Sequence, residues 1–171
     1  VEPRKPVLSF GTVPVSLAPG GFLQAVHHVE EAMAALVCLH LAKSKKIADL
    51  FAGAGSFTFR LAEKSAVHAV ESDAGSVASL DLAWKHVQGL KPISAEKRDL
   101  FRRPLIPFEL KAYDGVVFDP PRAGAEAQCG VLAKSAIKRI AAVSCNPITL
   151  ARDLRILIDG GYRLVSVTPF D

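Results

Sequence analysis

The chain has 171 residues, of which 50% are hydrophobic and 22% charged, and these proportions are ordinary for a single globular domain with one core. The formal net charge of +4 favours an anionic partner only weakly. No apolar run reaches the roughly 18 residues that a membrane helix requires, so a membrane-spanning protein is excluded. Residues 1–5 contain no apolar run typical of a signal peptide and no initiator Met, so we expect a fragment of a longer protein.

Three cysteines, Cys38, Cys129 and Cys145, are too few and too widely spaced for a disulfide framework or a zinc site. An odd number of cysteines without a Cys-x-x-Cys pair is typical of a reducing compartment. We therefore expect a cytoplasmic protein with no bound metal, and we take it to be a monomer.

The first 21 residues are rich in proline and glycine and are expected to form an edge hairpin, over residues 7–17, or a linker. A helix follows, because apolar residues recur at helical spacing and form one stripe. The stripe consists of Val26, Val29, Met33, Leu36, Val37 and His40.

Strands and helices then alternate along residues 22–171. Strands are predicted at residues 46–51, 66–71, 92–96, 115–118, 141–144 and 162–167, and helices at residues 57–64, 75–87, 126–140 and 147–159. This alternation predicts an α/β domain in which a mostly parallel sheet carries helices on both faces. Such sheets bind ligands beyond the carboxyl ends of their strands, where the motifs described next all lie.

A glycine-rich turn joins the first of these strands to its helix, since residues 49–58 read DLFAGAGSFT. Gly53 and Gly55 allow the backbone to turn tightly and to approach a ligand closely. A dinucleotide site would need a third glycine for close helix packing, and Thr58 occupies that position.

Acidic residues accompany this turn. Glu71 ends the second strand, where a carboxylate can accept the hydroxyls of a ribose. Asp49 precedes the glycines, and its charge would suit the sulfonium and amino-acid tail of S-adenosylmethionine but repel a pyrophosphate. Asp99 ends the third strand and is expected either to contact an adenine amino group or to cap a turn. Together these residues favour S-adenosylmethionine, and an NAD-dependent redox protein is the less favoured alternative.

The fourth strand ends in Asp119-Pro120-Pro121-Arg122. The prolines carry no N–H and are expected to direct backbone carbonyls into the cleft. Methyltransferases that act on exocyclic amines usually have an aromatic residue after such prolines, and Arg122 stands there instead. An ordinary proline-rich turn is the alternative interpretation.

Cys145 follows the fifth strand and precedes Asn146 and Pro147, which are typical of a helix N-cap and first helical position. The positive end of the helix dipole favours a thiolate at Cys145, so we predict a nucleophile there. Cys38 and Cys129 are predicted to be small buried hydrophobes.

Five stretches of the chain together resemble the RNA 5-methyluridine methyltransferase family, which acts on uracil in tRNA and ribosomal RNA. They are residues 21–24, 49–57, 70–71, 118–125 and 143–153, and the last two, FDPPRAGA and VSCNPITLARD, are highly specific. The resemblance implies a Rossmann-like class I methyltransferase fold, S-adenosylmethionine as the cofactor and RNA as the substrate. It implies a cofactor site lined by Gln24, Phe51, Ser56, Glu71, Asp99 and Asp119, with Cys145 as the nucleophile. Asp119 and Gln24 are expected to bind the uracil edge or the cofactor.

The chain also departs from the family pattern. Ser56 replaces the usual Asn, and residues 25–26 read AV where the family has VN. The family's general-base glutamate lies in a motif downstream of the sixth strand, and residues 168–171 come before such a motif. We therefore expect a catalytic core that lacks the last strand or strands and binds the cofactor with little turnover.

Two further functions stay open at this point. RNA cytosine-C5 methyltransferases are similar but generally carry a second Cys directly after the prolines, where this chain has Arg122. A cofactor-binding or RNA-binding module without catalysis is the other alternative, and the intact Cys145-Asn146-Pro147 sequence argues against it.

Overall fold

The computed structural model describes residues 6–17 and 27–170. Within these ranges the strands are β1 (Val7–Phe10), β2 (Val13–Ser16), β3 (Lys46–Leu50), β4 (Ala66–Glu71), β5 (Ile93–Lys97), β6 (Gly115–Phe118) and β7 (Arg139–Ala142). The helices are α1 (His27–Leu41), α2 (Ser56–Leu61), α3 (Ala74–His86), α4 (Pro107–Leu110), α5 (Glu126–Leu132) and α6 (Pro147–Asp159). None of these helices is long and apolar enough to cross a membrane.

Five parallel strands form the central sheet in the order β5-β4-β3-β6-β7. The chain moves outward from β3 to β4 and β5, and then returns to the other side of β3 to form β6 and β7. The strand order therefore reverses between β3 and β6, and in open α/β sheets ligands bind at this point, beyond the carboxyl ends of the strands.

Helices cover both faces of the sheet, as the alternation of elements predicts. Side chains of α1, α2 and α3 pack with Ile47, Val67 and Val117 on one face. Side chains of α4, α5 and α6 pack with Leu50 and Phe118 on the other. Successive residues of a strand point to opposite faces, and for this reason neighbouring residues of β3 and β6 belong to different cores.

The hairpin predicted within residues 7–17 is confirmed. β1 and β2 pair antiparallel around a turn at Gly11, with Phe10 opposite Val13. Val13 and Val15 are fully buried in the same core as α2 and α3, so the hairpin is an integral part of that face of the domain.

The helix predicted at residues 126–140 is wrong over its second half. α5 ends at Leu132, and residues 139–142 form β7, which starts two residues earlier than the predicted strand at 141–144. Ser135 explains the early end, because its Oγ donates to the Leu132 carbonyl (2.8 Å) and accepts from the Ile137 N–H (3.3 Å). A serine that satisfies the last helical carbonyl competes with further helix.

The strand predicted at residues 162–167 is also wrong. These residues belong to neither a strand nor a helix, and Val165 is 70% exposed. An alternating pattern predicts a strand only when a neighbour pairs with it, and among the described residues none does. The short helix α4 was not predicted, because four residues are too few for a helical period.

The apolar stripe predicted for α1 is displaced around the helix. The buried residues are Glu30, Ala34, Val37 and Leu41, while Leu36 of the predicted stripe is 42% exposed. Glu30 is buried because its carboxylate pairs with the guanidinium of Arg60 on α2. A carboxylate in the inward stripe conceals the true phase of the helix from a hydrophobicity pattern.

Candidate active site

The predicted site residues within the described part of the chain lie along one edge of the sheet. Backbone hydrogen bonds continue past the strand ends, from Asp119 N to Leu50 O (3.2 Å) and from Val143 N to Phe118 O (2.9 Å). In sheet order the carboxyl ends therefore present Asp99, Glu71, Phe51, Asp119 and Cys145. Parallel strands are about 4.8 Å apart, so the ends that carry Asp99 and Cys145 are separated by roughly 20 Å. Gln24 lies outside the described residues.

The turn after β3 has an uncommon backbone. Phe51 adopts a left-handed conformation with φ of 60°, and Gly53 and Gly55 follow with φ of 55° and 99°. A phenylalanine in this region is strained, and such strain is concentrated at ligand sites, where surrounding structure enforces it. At Gly55 any Cβ would come within 2.7 Å of the Phe59 ring. The predicted role of Gly55 as a residue that permits a close turn is therefore supported by geometry.

Glu71 is held by the loops around it. Its Oε1 accepts hydrogen bonds from the backbone N–H groups of Ser72 (2.6 Å) and Asp73 (2.8 Å), and its Oε2 accepts from Gly53 N–H (3.0 Å). A carboxylate oxygen has two lone pairs, so Oε2 keeps one for a hydroxyl donor. The structure thus leaves one clear acceptor direction on this carboxylate, where the sequence predicted acceptance of both ribose hydroxyls.

Asp49 lies beneath the glycine turn and is only 1% exposed. Thr58 donates its hydroxyl to Oδ2 (2.5 Å), and among the described residues Oδ1 has no hydrogen-bond partner. Burial raises the pKa of Asp49 to about 7, with smaller contributions from the carboxylates of Asp119 and Glu71, while the bond from Thr58 acts in the opposite direction. A buried carboxylate with an unsatisfied oxygen destabilises the fold unless a cation or donor reaches it.

Asp119 is the second acid of this edge with a perturbed proton affinity. Its burial alone raises the pKa to about 6. Acids whose pKa is raised in this way, and which lie at a ligand-binding edge, are typical of functional sites. Asp99 differs, because its Oδ1 accepts the N–H of Phe101 (2.9 Å) and therefore caps a turn, which was one of the two roles predicted for it.

A cleft of about 400 Å³ opens between the loops that follow Asp99 and Asp119, and it is lined by Phe101, Ala123, Gly124, Glu126 and Ala127. The Phe101 ring lies 5.5 Å from that of Phe51, centroid to centroid, so the cleft adjoins the glycine turn. Phe101 was not among the predicted site residues, although an aromatic residue two positions after a strand-end acid is a usable signal.

Cys145 is exposed and forms no disulfide. Asn146 caps α6 as predicted, with Oδ1 accepting from Ile148 N–H (3.1 Å). Its Nδ2 also donates to the carbonyl of Arg122 (2.9 Å), which Thr149 bonds as well (3.2 Å). The cap residue therefore ties the loop that carries Cys145 to the loop that carries Asp119.

The other two thiols differ from Cys145. Cys129 is fully buried, and burial raises the pKa of its thiol to about 12. Cys38 is half-buried, less than predicted, and burial also raises the pKa of its thiol. Cys145 is thus the accessible thiol among the three.

Arg152 and Asp153 of α6 complete the connection and were not singled out by the sequence analysis. Arg152 Nη2 donates to the carbonyl of Ala123 (3.0 Å), and the buried Asp153 accepts the N–H of Ala125 through Oδ2 (2.6 Å). The usable signal was their position within the specific stretch 143–153.

The prolines after Asp119 were predicted to direct backbone carbonyls into the cleft. The Pro121 carbonyl instead accepts a hydrogen bond from Gly124 N–H within its own loop (2.9 Å).

Ser56 is the first residue of α2, and its carbonyl accepts a hydrogen bond from Arg60 Nη1 (2.8 Å). No group of three or more His, Cys, Asp or Glu side chains among residues 6–17 and 27–170 is arranged to hold a metal ion.

The strand order, the glycine turn after the central strand and the acid after the next define a Rossmann-like methyltransferase fold. Solved structures agree. The Pyrococcus abyssi tRNA (uracil-54, C5)-methyltransferase in complex with S-adenosyl-L-homocysteine matches with a TM-score of 0.76 at 23% identity, over 91% of this chain and 38% of that one. The Thermus thermophilus 16S rRNA N2 G1207 methyltransferase matches with a TM-score of 0.63 at 17% identity, over 91% of this chain and 39% of that one.

The family model described as tRNA (uracil-5-)-methyltransferase matches residues 15–171, and the chain belongs to this family. An uncharacterized RNA methyltransferase of Brucella suis is 63% identical over all of this chain and 41% of its own length. The 23S rRNA (uracil(1939)-C(5))-methyltransferase RlmD of Chromohalobacter salexigens is 38% identical over 92% of this chain and 33% of its own length. The chain thus spans about two fifths of the length of the first of these relatives.

Replacement of Asp49 by Asn tests the cost of the buried carboxylate. The pKa of Asp49 in the folded protein, about 7, lies above its unfolded value of 3.8, so the folded state binds the extra proton. Stability of the ligand-free wild type should therefore fall as pH rises from about 4 to about 7. Asp49→Asn should remove this loss. The difference in free energy of unfolding between Asp49→Asn and the wild type should therefore shift in favour of the variant by roughly 2–4 kcal/mol between about pH 4 and about pH 8.

Denaturant unfolding across this pH range measures the effect. Asp114→Asn is the matched control, because the pKa of Asp114 is lowered by hydrogen bonds from the N–H groups of Lys45 and Lys46 despite an opposing effect of burial. Asp114→Asn should lower the free energy of unfolding at neutral pH, because it weakens the hydrogen bonds that the Asp114 carboxylate accepts. Parallel pH profiles for Asp49→Asn and the wild type would contradict the raised pKa of Asp49 in the folded protein.

Gly124 provides a second test, of the bonds between the two loops. Its φ is +79°, and an added Cβ would lie 2.5 Å from Arg152 Nη2 and 2.7 Å from Asp153 Oδ2. Gly124→Ala should lower the free energy of unfolding by about 2–3 kcal/mol, since it combines backbone strain with a steric clash. Gly130→Ala in α5 is the control, because its Cβ would meet open space and should stabilise by about 0.5–1 kcal/mol. Equal effects of the two substitutions in thermal or denaturant unfolding would be incompatible with this account.

Proposed function

We propose that the protein transfers a methyl group from S-adenosylmethionine to C5 of a uridine in tRNA or ribosomal RNA, through a covalent bond between Cys145 Sγ and C6 of the base. The observation that carries the proposal is the exposed Cys145 thiol, tied to the Asp119 loop at the same sheet edge as the glycine turn. Membership of the family and the uracil-5 specificity in the names of the relatives support the same reaction.

The cofactor would be held at the ends of β3, β4 and β5. Glu71 Oε2 has a lone pair for a ribose hydroxyl, and Asp49 Oδ1 has no hydrogen-bond partner in the part of the chain that the structure describes. The residues therefore suit a polar, cationic ligand. S-adenosylmethionine supplies an electrophilic methyl group on a sulfonium. The proposed binding residues are Gln24, Asp49, Phe51, Gly53, Gly55, Ser56, Glu71, Asp99 and Asp119.

Cys145 overcomes the weak nucleophilicity of uracil C5. Its thiolate adds to C6, and the electron pair of the C5–C6 double bond moves into an enolate that makes C5 the nucleophile. After C5 accepts the methyl group, a base removes the C5 proton, the double bond reforms and the C6–S bond breaks to release the thiolate. Asp119 directly follows β6, and β6 pairs with β7, the strand that precedes Cys145. With a pKa of about 6, Asp119 is an acid or acceptor for the uracil edge near neutral pH.

The base that removes the C5 proton is proposed to lie outside these 171 residues. By the resemblance to the family, the general-base glutamate belongs to a motif downstream of the segment that corresponds to residues 162–167. The Brucella suis relative is more than twice the length of this chain. We therefore propose that residues 22–171 are the methyltransferase domain of a longer cytoplasmic, monomeric protein, with residues 1–21 leading into it. By itself the chain is expected to bind the cofactor with little or no turnover.

The RNA must present its target base outside the helical stack, because a stacked uracil cannot reach a thiol at the end of a sheet. Cytosine-C5 methylation is not favoured, since Arg122 occupies the position after the prolines at which those enzymes carry a further cysteine.

Replacement of Cys145 by Ala in the intact protein should abolish methyl transfer and leave cofactor affinity within about twofold of the wild type, because the thiol makes the covalent bond and lies on the β7 side of the cofactor edge. RNA that contains 5-fluorouracil should trap a covalent adduct, because fluorine cannot leave as a proton does. Denaturing gel electrophoresis and mass spectrometry detect this adduct, and titration calorimetry measures cofactor binding.

Cys38→Ala is the control, since Cys38 lies on α1 away from the sheet edge and should keep both the adduct and the activity. Persistence of methyl transfer in Cys145→Ala, or absence of the adduct in the wild type at saturating cofactor, would disprove the role of Cys145.

A further inference from the structure

A surface loop displays aromatic and basic side chains next to the site described above. Residues 101–108 read FRRPLIPF, and we call them the Arg–Phe loop. They run from the connection after β5 into the first two residues of α4. Phe108 is 77% exposed, Ile106 53% and the side chain of Arg102 87%. Basic side chains combined with exposed aromatic rings are typical of surfaces that bind single-stranded nucleic acid.

The backbone of this loop is fixed from within. Leu105 is 1% exposed, and Gln128 of α5 bonds both its N–H (2.8 Å) and its carbonyl (3.2 Å). At the start of the loop, the carbonyl of Asp99 accepts the N–H of Arg103 (2.8 Å). The exposed side chains are therefore held outward by an ordered backbone, which lowers the entropy that a partner must overcome on binding.

The charge of the loop is largely uncompensated. Within residues 6–17 and 27–170 the side chain of Arg103 has no hydrogen-bond or ion-pair partner, and that of Arg102 reaches Asp99 only at 3.5 Å in solvent, where ion pairs contribute little. The nearby acids are already paired, Glu109 with Arg98 and Glu126 with Arg152. The loop thus presents positive charge to an anionic partner.

The Arg–Phe loop is continuous with the candidate active site. Phe101 contacts the ring of Phe51 and lines the same cleft as Ala123 and Gly124, which follow Arg122 in the Asp119 loop. The Asp119 loop, which forms the other wall of this cleft, is bonded to the Cys145 loop through Asn146. A polymer that delivers a base to Cys145 would reach the Arg–Phe loop by extending along the cleft.

We propose that Arg102, Arg103, Ile106 and Phe108 form a contact surface for single-stranded RNA on one side of the target uridine. The guanidinium groups bind phosphates, and the Phe108 ring stacks on a base. The inference rests on the proposed function in taking RNA as the substrate, and it adds where the flanking nucleotides lie. RNA is favoured over a protein partner because an aromatic ring is accompanied by two exposed arginines. Within residues 6–17 and 27–170 one of them has no partner, and the other has only a solvent-exposed ion pair to Asp99.

Binding of the intact protein to a single-stranded oligouridine of roughly 12 nucleotides tests the proposal across a series of salt concentrations. Neutralisation of two phosphate contacts in Arg102→Gln/Arg103→Gln should weaken binding roughly 10-fold or more, and it should reduce the slope of log K against log salt by about 1.4. Phe108→Ser should weaken binding roughly 5- to 100-fold and leave that slope unchanged, because it removes stacking and no charge.

Matched controls lie elsewhere on the surface. Lys134→Gln/Lys138→Gln removes two exposed charges from the α5–β7 connection, and Leu39→Ser removes a side chain of α1 that is 75% exposed. Both controls should bind the oligouridine as the wild type does. Cofactor affinity, measured by calorimetry, should be unchanged in all four variants.

Loop variants that bind RNA as tightly as the wild type would overturn the proposal, as would a wild type without measurable oligouridine binding. A wild-type dimer in sedimentation that Phe108→Ser dissociates, with RNA affinity unchanged, would assign the surface to a second copy of the chain and also overturn it. An intact protein that binds RNA through the loop but transfers no methyl group to uridine would refute the proposed function alone.

Discussion

Asp153 on α6 is almost completely buried, and its carboxylate accepts the N–H of Ala125 at 2.6 Å while Arg152 bonds the neighbouring carbonyl of Ala123. These bonds attach the loop after β6 to the helix after β7. The same helix begins with Asn146, which holds the Arg122 carbonyl. Because charge-assisted hydrogen bonds in a buried setting are strong, the position of Cys145 relative to Asp119 depends mainly on this set of contacts. The proposed chemistry has little tolerance here, since misplacement of a reacting group by about 1 Å costs roughly 100-fold in rate.

The part of the sheet edge proposed to bind the cofactor contains unfavourable groups, in contrast to the favourable hydrogen bonds around α6. Asp49, Glu71 and Asp119 place three carboxylates around one point of the sheet, and the first and third have pKa values raised to about 7 and about 6, mainly by burial. In the absence of a ligand this cluster works against folding, because the buried oxygen of Asp49 has no partner among the described residues. A cation would relieve that cost, so the strain in the fold is also a source of binding energy. Proteins commonly retain such unfavourable groups at their functional sites.

The sequence was sufficient for the architecture where the local signals and the tertiary contacts agree. β4, β6 and α6 lie at their predicted bounds, because short apolar runs between polar residues or glycines, or a helix that starts with Asn146 and Pro147, leave few alternatives. It failed where a distant partner decides. Glu30 is buried because its carboxylate pairs with Arg60, and residues 162–167 pair with no strand within the described ranges despite their alternation. Positions at the sheet edge were predictable, since parallel strands align their carboxyl ends. Hydrogen-bond partners were not predictable, as the bond from Gly53 to Glu71 illustrates.

The division of the edge has a consequence for how the two substrates would meet. Most of the proposed cofactor residues lie at the ends of β3, β4 and β5, whereas the proposed nucleophile Cys145 follows β7. Between the two groups lies β6, with Asp119 after its end. The backbone bond from Asp119 N to Leu50 O (3.2 Å) joins these halves at the point where the strand order reverses. Asp119 is therefore the residue that both groups adjoin. The reversal of strand order thus creates the gap between the two ligands across which a methyl group would have to move.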